Sequence, residues 1–97
     1  MPYIKPRLRR CLANIVDAMD KHVEGLSAGE LNYLITTMLH KWLAVVNLDY
    51  GDVNEVIGVL ECAKASLIET VLIPYEKDKM KQNGNVSELD KKYYEAL

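Results

Sequence analysis

Residues 26–47 read LSAGELNYLITTMLHKWLAVVN. Ser27 precedes Glu30 by three, the spacing of a capping box, in which each side chain serves the other residue's backbone amide. Leu26 and Leu31 stand at the two positions of a hydrophobic staple around that start. From there Leu31, Leu34, Ile35, Met38, Leu39, Trp42, Val45 and Val46 recur at helical spacing. The stretch therefore specifies a long amphipathic helix with a marked beginning. Its apolar stripe has to be covered, and the flanking segments are expected to cover it.

Upstream, Pro2 and Pro6 bracket an extended arm over residues 1–6, and Pro6 suits the first turn of a helix. That helix is expected to run to about Val23, with Leu8, Leu12, Ile15, Val16, Met19 and Val23 on one face. Gly25 stops it, and the short link that follows favours antiparallel neighbours. Downstream, LDYGD is rich in helix breakers, and Asp52 followed by Glu55 marks the start of a third helix. Val53, Val56, Ile57, Leu60, Ala63, Leu67, Ile68 and Val71 form its apolar face. Pro74 leaves two readings: an end near Leu72, or a kinked continuation through Tyr75 to Gln82. Asn83-Gly84 is a stop signal, and Ser87, three before Asp90, opens a short terminal helix bearing Leu89, Tyr93, Tyr94 and Leu97. The expected fold is all-α. It is a compact bundle of three main helices with a C-terminal helical extension, one domain over residues 1–97 whose residues 85–97 form a loose or swapped tail.

Composition narrows the classes of function. Ninety-seven residues suffice for one small domain, and a domain of that size buries only a modest share of its surface. A homo-oligomer, with a dimer the minimum, is the natural remedy. Twelve basic residues against fourteen acidic ones leave a net charge of −2, which speaks against a duplex-DNA binder. Cys11 and Cys62 lie on different expected helices and read as reduced thiols of a cytoplasmic protein. No stretch approaches the ~20 apolar residues of a membrane span, and the first residues carry no secretory apolar core.

The opening MPYIKPRLRR, the segments GELNYLIT and NEVIGVLECAK, and IPYEKDK followed by NGNV resemble a small family of uncharacterised helical proteins found in phages and bacteria. The similarity spans most of the chain. It implies a phage or prophage accessory protein of compact helical build, working in the cytoplasm of a bacterial host. It brings no catalytic residues with it.

Candidate site residues come from misplaced charge. Lys5, Arg7, Arg9 and Arg10 precede the first acidic residue, Asp17. Cations at a helix N-terminus oppose its dipole, so this placement points to an anion, and arginine's fork suits phosphate. The plainer reading is a solvated arm. Lys64 falls among Leu60, Leu67, Ile68 and Val71 on an apolar face. It reads either as a cation aimed into a pocket or as a snorkelling stem at the core's edge. Tyr33, with Tyr3, Tyr50 and Tyr75, is placed either to stack on a base or to pack at the edge of a core. Asp49, Asp52, Glu55, Glu61 and Glu69 fall short of the paired carboxylate motifs by which small all-α pyrophosphohydrolases hold Mg²⁺, and capping explains Asp52 and Glu55. His22 and His40 lack ligand spacing, so neither metal nor cofactor is expected.

The expected function is non-enzymatic: a homo-oligomer that sequesters an anionic nucleotide-like ligand, such as a cyclic-nucleotide immune signal, through Lys64, Arg7, Arg9, Arg10, Lys5 and Tyr33. The alternatives are a module that inhibits a host protein by binding it and, behind that, an all-α nucleotide pyrophosphohydrolase.

Overall fold

A computed structural model describes residues 2–94, and every regular element among them is helical. The elements are α1 (Pro6–Cys11), α2 (Ala13–Met19), α3 (Ala28–Val45), α4 (Tyr50–Leu67), a π-helical segment (Ile68–Leu72), α5 (Ile73–Asn83) and α6 (Glu88–Tyr94). None of the described helices is long and apolar enough to cross a membrane. The chain divides into two compact units, residues 1–60 and 61–97.

In the first unit the expected helix to Val23 is two short helices instead. Leu12 breaks it, with φ −101° and ψ 0°, and its amide turns back to the Arg9 carbonyl at 3.1 Å. That is the tighter i→i−3 bond of a helix end. After Met19 the chain leaves the helix through more bonds of this kind, from Asp20 to Asp17 and from Lys21 to Ala18, and reaches Gly25 at φ 76°. Glycine takes that left-handed backbone without a Cβ clash.

Then α3 starts as its sequence specifies. The Glu30 amide donates to Ser27 Oγ at 3.1 Å, and the Ser27 amide donates to Glu30 Oε1 at 3.0 Å. A similar reciprocal pair stands before α4, one step earlier than expected: the Asp52 amide donates to Asp49 Oδ1 at 2.8 Å, and the Asp49 amide approaches Asp52 Oδ2 at 3.4 Å. Asp49 thus caps the helix, and Asp52 takes the third position of its first turn. The link before it contains Leu48 at φ 52°, a strained backbone for a residue with a Cβ.

The expected cover for the α3 stripe is largely missing. Leu39, Leu43 and Val46 are half-buried, but Leu31, Leu34, Ile35, Met38, Trp42 and Val45 are exposed. Among the described residues no helix of the first unit packs extensively along α3. Val56 on α4, 8% exposed, is the one apolar residue buried among those described.

In the second unit Pro74 does not end the helix. Proline has no amide to return to the carbonyl four residues back and its ring crowds that carbonyl. The turn before it is widened to π geometry over Ile68–Leu72, and α5 continues to Asn83. Thr70 Oγ1 donates to the Ser66 carbonyl at 2.7 Å, a back-bond that favours bending at the same place. Gly84, at φ 92°, ends α5 with its amide on the Met80 carbonyl at 2.8 Å. Asp90 then accepts from the amides of Val86 and Ser87, both at 2.9 Å, while Ser87 Oγ accepts from the Leu89 amide at 3.1 Å. This fixes the start of α6 in the expected place. Of the expected tail, residues 95–97 lie outside the described residues, with Leu97 among them.

Two expectations follow. Ser27→Ala removes the acceptor of the first α3 amides and lowers stability by ~1 kcal/mol in denaturant titration. The second concerns acid. The Ser27 amide, helped by the Ser27 hydroxyl, holds the Glu30 carboxyl below its ordinary range. The amides of Ser87 and Val86 do the same for Asp90. A depressed carboxyl contributes its full stability above the unfolded-state pKa and loses it as pH falls through the lower folded-state value. Helix content followed by circular dichroism is therefore constant down to about pH 5 and declines below the ordinary carboxylate range of about pH 4. A flat signal through that window would remove the carboxylates from the caps.

Candidate functional site

The amino-terminal cations are positioned by the break at Leu12. Because α1 stops at Cys11, Arg9 and Arg10 lie in its last turn, where positive charge complements the helix dipole. The expectation that they oppose a dipole is corrected on this point: the helix is one turn and a half long, so these residues are already at its far end. Arg9 also has a local task. Its Nε donates to the Ile4 carbonyl at 2.9 Å and ties the extended arm to α1. Lys5 occupies the N-cap position without a side-chain cap bond, and Arg7 lies in the first turn, so these two keep the placement that helix stability does not explain. All four side chains are exposed.

Tyr33 is 70% exposed. At about 100° per residue it lies roughly opposite the Leu31–Trp42 stripe on α3. Lys64 belongs to the second unit and stands in the last turn of α4. It is exposed, as are Leu67 and Val71 beside it on the wheel, so its ammonium reaches water directly. Of the six candidate residues, five thus lie in the first unit and one in the second.

The second unit has a feature that the sequence reading missed. An open groove of about 400 Å³ runs along α5 to the turn before α6. Leu72, Ile73, Met80 and Val86 give it apolar walls, and Glu76, Lys77, Lys79 and Asp90 give it charge of both signs. The Asp90 carboxylate is already engaged by two amides. Lys79 Nζ sits 5.6 Å from the centre of the Tyr75 ring, a cation–π contact that keeps its charge at the helix surface. With opposite charges balanced around it, the groove favours no anion. It suits a small amphipathic group. The signal lay in the segment YEKDKMKQNGNV: once the helix passes Pro74, its stop at Gly84 folds Val86 back towards Met80.

The carboxylates considered for a metal are used otherwise. Asp49 and Asp52 serve each other's backbone amides. Among the described residues no three His, Cys, Asp or Glu side chains are gathered to hold an ion. Cys11 and Cys62 are both free and exposed.

No curated protein and no solved structure matches the chain. Residues 1–86 match a protein family described as a domain of unknown function, DUF6899. The match runs through both units and covers most of the chain, and on it the protein belongs to the DUF6899 family.

Proposed function

We propose that the protein is a non-enzymatic interaction module, an accessory protein of the phage type, acting in the cytoplasm of a bacterial host by laying its helices against another protein surface. One observation carries this reading. In a chain that is 49% hydrophobic, Val56 is the one large apolar residue buried among those described, and the main stripe of α3 is left open. Exposed apolar residues scattered singly are ordinary, but a contiguous stripe on one helix marks a docking face. Charged residues, 27% of the chain, supply the polar faces that accompany this stripe.

A second reading keeps Lys5 and Arg7, joined by Lys64, Arg9, Arg10 and Tyr33, as contacts for an anionic nucleotide-like ligand held by a homo-oligomer. What favours it is that Lys5 and Arg7 crowd a helix start where no acidic residue stands in the first turn.

A thermal-shift screen with mono-, di- and cyclic nucleotides, with and without Mg²⁺, separates the two, because a ligand that binds only the folded state raises the melting temperature by mass action. The interaction reading expects no shift at millimolar ligand. A saturable shift without Mg²⁺ overturns it in favour of sequestration, and one that needs Mg²⁺ in favour of a hydrolase. In the sequestration case Lys64→Met leaves stability equal or higher and weakens calorimetric affinity by roughly 1.5–3 kcal/mol, the worth of a hydrogen bond to a charged group.

A further inference from the structure

Five residues of α3 recur at alternating steps of four and three: Leu31, Ile35, Met38, Trp42 and Val45. That is the 3.5-residue repeat with which two helices pack knobs into holes. All five are exposed, from 43% at Trp42 to 82% at Val45. Of the half-buried residues of the same helix, Leu39 and Leu43 lie to one side of this seam and Thr37 to the other. A helix built to sit at an interface thus has its outer seam vacant.

We propose that the occupant is the α3 helix of a second copy of this chain, packed antiparallel in an isologous dimer. The inference rests on the interaction reading and names the partner. Two observations select it.

The first is size: the two units span residues 1–60 and 61–97, each too short to bury much of its surface by itself. Units this small are otherwise reinforced by disulfides or metals. Here both cysteines are free, and no metal-holding group is present among the described residues.

The second is charge. Glu30 near the start of α3 and Lys41 near its end flank the same edge of the seam. A two-fold axis across the helix sets Leu31 opposite Trp42 of the second copy and Ile35 opposite Met38. In that register Glu30 comes within about 3 Å, measured along the axis, of the other copy's Lys41. The pairing occurs twice by symmetry. The surface is therefore complementary to itself when reversed, as an isologous interface requires.

The test is sedimentation equilibrium of the full chain from nanomolar to micromolar concentration, with Trp42 emission read in parallel. It is the chain's one tryptophan. The dimer is expected at micromolar concentration, with Trp42 emission moving to the blue as it forms. Lys41→Glu sets carboxylate against carboxylate and weakens the dimer at least about fivefold. Glu30→Lys sets ammonium against ammonium and weakens its own dimer likewise. An equimolar mixture of the two variants restores association, because each cross pair is again of opposite sign. Met38→Glu, at a residue exposed in the single chain, weakens the dimer about 100-fold or more with monomer helicity unchanged. A dimer indifferent to Met38→Glu, or one that the mixture fails to restore, overturns the proposed face or its register. A chain that stays monomeric with Trp42 in water overturns the second copy and leaves the interaction reading standing. A monomer with Trp42 already shielded shows that the chain covers its own seam, and then both fall.

Discussion

Backbone amides at the start of a helix have no carbonyl behind them, and in this chain side chains supply the acceptors in pairs. Ser27 with Glu30, Asp49 with Asp52, and Ser87 with Asp90 each clasp the beginning of a helix across three residues. The rest of the fold depends on these clasps because so little else holds it. With one buried apolar residue among those described, cohesion is local: hydrogen bonds within a helix, a cap at its head, and a glycine in left-handed backbone at Gly25 and Gly84 where a helix or turn ends. Most helical stability in proteins comes from packing an amphipathic face. The clasps define where the helices begin, and on the proposed reading the missing term comes from contact with another surface.

What was legible in the sequence divides along the same line. The α3 and α6 starts were readable because each is a local code in which a side chain meets an amide three residues away, and the stop at Gly84 because glycine takes positive φ without a Cβ clash. The start of α4 was misplaced because Asp49, Asp52 and Glu55 repeat the same spacing, and only geometry shows which pair closes. The break at Leu12 was not readable. Leu8, Leu12 and Ile15 continue the apolar period without a glycine or proline, so nothing in composition marks the turn. Pro74 left its two readings open because the outcome depends on whether the preceding turn widens. The groove along α5 was missed for that reason, since its walls exist only when α5 runs on to Gly84. The cations were legible as a cluster, but the role of Arg9 depends on where the Ile4 carbonyl points.

The apolar stripe of α3 shows the limit of periodicity most plainly. Spacing says that a face is to be buried and is silent about what buries it. Leu31, Ile35, Met38, Trp42 and Val45 satisfy the pattern of a core and are exposed in the chain, while Leu39, Leu43 and Val46, a step around the helix, are half-buried. A broad stripe had been read as one face. The structure divides it into a half-buried part and an exposed part, and the proposed docking face rests on the exposed part.

The π-helical turn at Ile68–Leu72 has a consequence for the geometry of recognition. Such a turn inserts one residue into the helical count and so rotates everything after it by about 100° about the axis. The helix stays unbroken through Pro74, yet the side of α5 that carries Ile73 and Met80 does not continue the side that carries Lys64 and Leu67. One rod is thereby given two working sides about a quarter-turn apart. A chain of this length can in this way present two differently directed surfaces without spending residues on a second pair of helices.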